Sequence, residues 1–251
     1  MYNPKTYLSI GNQLLEILYV NGDEHHARDA FDHLGNESPS IIGYFEISEP
    51  LPKIRVVLVP DRNEFDRLVR DLLQVEIEVP SNPARIAQAQ KSDMVLLSPS
   101  AYAAHSTFVF VPAHFHRLLV HEFIHMAEEF LSPDIESVPG WWSEGLAVYL
   151  SGQWLFEDEF RKAALNGVEK NIIPAIRQIE TDRKLAYDWG WTLVKFFEDV
   201  YGKIKILQIV RESADGKVFS IIGKDLENIE PGWKAWLHTK GSLTSPHPGN
   251  A

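Results

Sequence analysis

Two histidines four residues apart, with a glutamate beside the first, stand at His121-Glu122-Phe123-Ile124-His125. The run around them, Leu118 to Ala127, is made mostly of good helix formers and contains no glycine or proline. On an α-helix, residues four apart are turned by only about 40° and lie one turn apart. Both imidazoles can therefore reach one metal ion. Glu122 is turned to one side, where it can reach a water on that ion instead of the ion itself. Two ligands, a general base and an open coordination position are what a zinc hydrolase needs. With 10 His and 21 Glu in 251 residues, the pattern arises by accident about 0.03 times per chain, so a third ligand is needed to give it weight.

Catalytic zinc usually takes three protein ligands. The helix carrying the motif can run to about Leu131, where Ser132-Pro133-Asp134 ends it. A second helix is expected after Pro139-Gly140 and through Leu150, with Glu144 in its first turn and 18 residues between His125 and Glu144. Glu128 and Glu129, three and four residues past His125, are rival third ligands. A carboxylate one turn further along the same straight helix cannot easily close a tetrahedral site, which keeps Glu144 ahead.

The combination of H-E-x-x-H, 18 residues, and a glutamate within Trp141-Trp142-Ser143-Glu144-Gly145-Leu146-Ala147-Val148-Tyr149 resembles the gluzincin metallopeptidases. It is most similar to the small thermolysin-type, peptidase MA-like domains and more distantly to the M1 aminopeptidases. The resemblance implies that His121, His125 and Glu144 bind one zinc per chain and that Glu122 is the general base. It implies hydrolysis of peptide bonds in a peptide or protein substrate. The implied fold is α+β, a thermolysin-like zincin with a small twisted sheet over the active-site helix and a helical C-terminal half. Tyr187-Asp188-Trp189-Gly190 resembles the Tyr-x-x-Gly that opens a helix in the M1 enzymes, and this implies Tyr187 as a donor to the developing oxyanion. No Gly-x-Met-Glu-Asn segment, which in those enzymes anchors a free amino terminus, occurs upstream of His121. Its absence favours an endopeptidase over an aminopeptidase.

Two other readings stand beside this one. A catalytically silent zinc module could bind peptides or a partner protein, although such a module has no need of Glu122. A metal-free fold could hold the same residues as a buried polar cluster, which demands a complete hydrogen-bond network.

Other elements must position these residues. Leu8, Leu14, Leu15, Leu18 and Val20 form an approximate helical stripe, broken at Asn21-Gly22, and a second helix is expected from Asp23 to Leu34, closed by Gly35. Residues 41 to 47, 54 to 59, 94 to 97 and 107 to 111 read as strands. Asp61, with Glu64 three residues on, reads as a capping box for a helix carrying Phe65, Leu68, Val69, Leu72 and Leu73. In zincins an extended substrate pairs with an edge strand beside the active-site helix, and residues 107 to 111 or 94 to 97 are the candidates for it. His25, His26 and His33 read as solvated or capping residues, and His114 as a possible contact for substrate or for a metal ligand. A short helix is expected within residues 171 to 180, a long one ending at Gly202, and further helices over 203 to 238.

The chain reads as a single zincin-like domain over residues 1–240, with the helices of 1–40 as an appendage and 241–251 as a disordered tail. A net charge of −11 argues against nucleic acid and against an anionic membrane as partner. The absence of cysteine removes disulfides, thiolate ligands and a thiol nucleophile together. No apolar run near the start suggests a secretory signal or a membrane span, so a cytoplasmic location is expected. Nothing in the sequence sets the oligomeric state.

Overall fold

The computed structural model describes residues 7–132, 135–156, 158–212, 218–239 and 243. It is α+β and forms two compact units, Met1–Phe130 and Leu131–Ala251. Among the described residues all strands lie in the first unit, and the second is helical. Pro133 and Asp134, expected to end the motif helix, and almost all of the expected tail lie outside the described residues.

The first unit is built on a five-stranded sheet in the order β1-β2-β3-β5-β4, with β1 Leu8–Gly11, β2 Leu15–Tyr19, β3 Ile54–Val59, β4 Ala87–Gln90 and β5 Asp93–Leu97. The central strands β2, β3 and β5 are parallel, and β1 and β4 close the two edges antiparallel to their neighbours. Parallel strands covered on both faces read as unbroken apolar runs, and Val-Val-Leu-Val at 56–59 and Met-Val-Leu-Leu at 94–97 fit that rule. One face presents Leu18, Val57, Val59, Val95 and Leu97 to Phe65, Leu68, Val69 and Leu73 of helix α2 (Arg62–Asp71) and the residues following it. Ile17, Val56, Leu58, Met94 and Leu96 on the alternate positions are fully buried as well.

Helix α2 starts as expected, since Asp61 Oδ1 accepts from the Glu64 backbone N–H at 2.9 Å. The Glu64 carboxylate does not complete the box. It accepts from Arg67 at 2.7 and 2.8 Å and from the Tyr7 hydroxyl at 3.0 Å instead.

Several further expectations fail in this unit. Residues 8–11 and 15–19 are strands β1 and β2 of the sheet, not a helix. Helix α1 (Glu24–Tyr44) runs past Gly35 and through Pro39, so residues 41 to 44 are helical and not a strand. Its buried positions Ala27, Ala30, Leu34, Ser38 and Ile41 form one continuous stripe, and burial of that stripe outweighs the local stop signals. Residues 107 to 111 form no strand and pair with nothing in the sheet; Val109 is 85% exposed. Residues 94–97 are indeed a strand, but β5 lies between β3 and β4, so the edges are β1 and β4.

The second unit is organised by α5 (Gly140–Leu150) and α9 (Arg183–Tyr201). Asp182 caps α9 by accepting from the N–H groups of Lys184 and Leu185 at 2.8 and 3.1 Å, and Gly202 ends it at φ 82°. Between them lie α6 (Gln153–Phe156), α7 (Asp158–Glu169) and α8 (Ile176–Thr181), the last being the short helix expected within 171 to 180. Helices α10 (Lys203–Glu212), α11 (Val218–Ile222) and α12 (Leu226–Leu237) follow as expected. Aromatic side chains fill the core: Trp154 stacks on Trp191 at 4.8 Å, and Trp233 Nε1 donates to Thr192 Oγ1 at 3.1 Å. Among the described residues no helix is long and apolar enough to cross a membrane.

Candidate metal centre

The motif lies where the sequence puts it, on helix α4 (Pro112–Leu131). Pro112 opens that helix, at a position where a backbone N–H would have no intrahelical acceptor. Phe115, Leu119, Phe123 and Ala127 recur every four residues and are buried, which anchors the helix and fixes its rotation. His121 and Glu122 are 4% and 7% exposed. The two imidazoles meet at their Nε2 atoms, 3.0 Å apart, with the rings edge to face. Ligand atoms around a tetrahedral zinc at about 2.1 Å are separated by roughly 3.4 Å, so this spacing suits a shared cation.

The rival carboxylates are placed elsewhere. Glu128 is buried, and its Oε2 is 4.0 Å from the other ring nitrogen of His125, Nδ1. Glu129 accepts from the Lys91 backbone N–H at 2.6 Å and from Gln90 Nε2 at 3.4 Å, at the turn between β4 and β5. The group of potential ligands that forms around the two imidazoles takes Glu144 and neither of these two.

In the second unit, Glu144 lies on α5, whose other surfaces are almost wholly apolar: Trp141, Trp142, Leu146, Ala147, Val148 and Tyr149 are all buried. The residue after it, Gly145, is where α9 comes closest. A Cβ at Gly145 would stand 2.4 Å from the carbonyl carbon of Gly190, and one at Gly190 would stand 2.4 Å from the carbonyl oxygen of Trp141. Only hydrogen fits at both positions, and this close crossing sets Glu144 beside the first turns of α9. There the Tyr187 hydroxyl hydrogen-bonds Glu144, and Arg183, one turn earlier, donates to the phenol oxygen with its guanidinium 5.9 Å from the ring centre. Burial and then the Glu144 carboxylate push the phenol well above its usual pKa, with Arg183 opposing, so Tyr187 keeps its proton. Tyr187 is the fifth residue of α9 and does not open it.

One ligand atom from each of His121, His125 and Glu144 lies within 4.8 Å of the other two, a group that could hold a metal ion. Two imidazoles and one carboxylate are a donor set that zinc takes in hydrolases, so these residues fit the ion.

The remaining histidines fall outside this group. His33 on α1 stacks on His116 of α4 with ring centres 4.2 Å apart, and His116 Nε2 is 2.7 Å from Asp29 Oδ2, so His33 helps join two helices and is not simply solvated. His26 packs edge-on against Phe110. His114 is exposed at the start of α4. Sequence reasoning missed Arg183, although its spacing of four from Tyr187 on one helix was a usable signal. It also missed the contact of Glu129 with the β4–β5 turn, for which the sequence gives no sign.

Residues 111–239, just over half of the 251-residue chain, match the family model of the peptidase MA superfamily. No curated protein matches the chain.

Proposed function

Because the chain belongs to the peptidase MA superfamily, we propose that it hydrolyses peptide bonds, with one zinc ion held by His121, His125 and Glu144. The observation that carries this reading is the close grouping of those three donors on the matched segment. When bound there, zinc would acidify a water and polarise the scissile carbonyl. Glu122, next to the first histidine and turned away from the ligand side, takes the proton from the attacking water and passes it to the leaving amine. Tyr187 holds the Glu144 carboxylate through its hydroxyl and keeps its proton, which suits it to the oxyanion duty that the resemblance implies. The substrate is an extended peptide chain that adds to an edge of the sheet. Of the two edges, β4 ends in a turn whose Lys91 N–H is held by Glu129 of α4, and we assign substrate pairing to β4. Since no Gly-x-Met-Glu-Asn segment occurs upstream of His121, the reading is of an endopeptidase.

The test is elemental analysis of the purified protein together with two variants. About one zinc per chain is expected in the wild type, with loss in His121→Ala. Glu122→Gln should keep the zinc and lose turnover on a peptide library. Zinc that stays absent after reconstitution, or turnover undiminished in Glu122→Gln, overturns the assignment.

A further inference from the structure

The strand assigned to substrate, β4, is four residues long and has a neighbour on one side only. Such a short edge has few ladder hydrogen bonds to fix it. Its two ends, however, are each held by a charged side chain from a helix. At the N-terminal end the segment 81–85 has no regular structure, and its carbonyl groups need donors. Arg62, at the start of α2 and only 8% exposed, supplies them. Its Nη1 donates to the Arg85 carbonyl at 2.5 Å and to Ser81 Oγ at 3.1 Å, and its Nη2 to the Pro83 carbonyl at 3.2 Å. Nη2 also donates to the His105 carbonyl at 2.7 Å, at the end of α3 (Tyr102–His105) in the segment leading to α4. Asp66, one turn further along α2 and almost fully buried, accepts from both the N–H and the hydroxyl of Ser81, at 2.9 and 2.5 Å. At the C-terminal end Glu129 of α4 accepts from the N–H of Lys91.

A buried guanidinium is expensive unless its donors are used, and substitution by an apolar group of similar size is often neutral or better for stability. Arg62 spends four hydrogen bonds on one irregular segment and on the approach to the motif helix. Glu129 likewise joins the far end of the same strand to that helix, four residues after a proposed ligand. Resting on the peptidase reading, we infer that Arg62 and Glu129 form a two-ended clamp that sets β4 at a fixed distance and register from the metal-binding helix, and that they are positioning residues for the substrate backbone. Neither touches the reacting atoms. The clamp acts on how well an extended peptide docks, so its loss falls on KM and leaves kcat nearly unchanged.

The variants are Arg62→Met and Glu129→Ala, with Arg62→Lys and Glu129→Gln as conservative partners. Glutamine keeps an oxygen to accept from Lys91, and lysine keeps a donor for the carbonyls. Amide hydrogen exchange of residues 81–91 is measured on the metal-free chain, alongside zinc content, kcat and KM for a peptide found in the library screen. The expected result is exchange about tenfold faster across 81–91 in Arg62→Met and Glu129→Ala, and KM raised about tenfold. Zinc content should stay the same, kcat should stay within about twofold, and Glu129→Gln should restore both exchange and KM. Unchanged exchange in both variants removes the clamp. Faster exchange with an unchanged KM, or a fall confined to kcat, means that the contacts are structural only and overturns the proposal while leaving the peptidase reading intact. A zinc-loaded wild type that cleaves no peptide overturns the peptidase reading, and the proposal with it.

Discussion

Tyr187 has two duties open to it, and one substitution separates them. Its hydroxyl is hydrogen-bonded to Glu144 and its ring lies under Arg183. A group that holds a metal ligand through a hydrogen bond typically changes metal affinity or activity by about 10–100-fold when it is removed. A donor to the oxyanion changes kcat by about 10²–10³-fold and leaves the metal alone. Tyr187→Phe removes the hydroxyl and keeps the ring. If holding Glu144 is the main duty, zinc binds more weakly in a chelator competition and excess zinc recovers most of the rate. If oxyanion stabilisation dominates, zinc affinity is unchanged and added zinc restores nothing. At this scale the grouping of His121, His125 and Glu144 was legible in the sequence. His121, Glu122 and His125 needed only the helical spacing of four, and Glu144 needed its distance from them and the aromatic frame around it. Arg62 and Glu129 were not legible, because their partners lie between 19 and 43 residues away in the chain and are mostly backbone atoms, which carry no sequence signal.

The position of Glu144 depends on how closely two helices approach each other. Glycine at 145 and at 190 lets α5 and α9 touch backbone to backbone, and a methyl group at either would sit at 2.4 Å from a backbone atom. A backbone neighbour cannot rotate away as a side-chain tip does, so the helices must separate by about an ångström. Gly190→Ala is expected to cost about 1–3 kcal/mol, the usual range for overpacking. It also shifts Tyr187 relative to Glu144, so zinc affinity falls with stability. The control is Gly223→Ala, at a glycine with open space around it but with φ 76°, whose strain affects stability without altering zinc binding. Thermal melts and zinc titrations on the two variants check this; equal zinc affinity in Gly190→Ala and wild type sinks the claim that the crossing sets the ligand. Elements were legible where local signals agreed with burial. Helix α4, with Pro112 at its start, and α9, between Asp182 and Gly202, were both readable for that reason. They were misread where the two conflicted. The run Leu14-Leu15-Glu16-Ile17-Leu18-Tyr19-Val20 is apolar on nearly every position because β2 is buried, and a run apolar throughout has no period with which to choose strand over helix. Thr107-Phe108-Val109-Phe110-Val111 has the composition of a strand but no partner to pair with, and propensity alone does not make one.

Family membership is visible at the scale of the whole chain, because the match spans both motifs and the helices after them. The strand order is not visible there: it depends on which strands pair, and β4 pairs with β5 through a two-residue turn while β2 and β3 meet across the whole of α1. The same scale sets what metal removal does to stability. Three donors from residues 121 to 144 are grouped in the folded chain, and an unfolded chain holds no such group. A chain of net charge −11 also favours uptake of a divalent cation. A ligand that binds only the folded state stabilises it by about 2.7 kcal/mol at a hundredfold excess over its Kd. For a chain of about 250 residues each kcal/mol moves Tm by roughly 2–4 °C. Zinc at that excess should therefore raise Tm by roughly 5–10 °C over the chelated protein. The increment should vanish in His121→Ala, where one donor is gone. It should persist in Glu122→Gln, because that residue acts on water and binds no metal. A Tm indifferent to zinc in the wild type, or an increment equally large in His121→Ala, means the ion binds elsewhere or not at all, and the zinc centre proposed at His121, His125 and Glu144 falls.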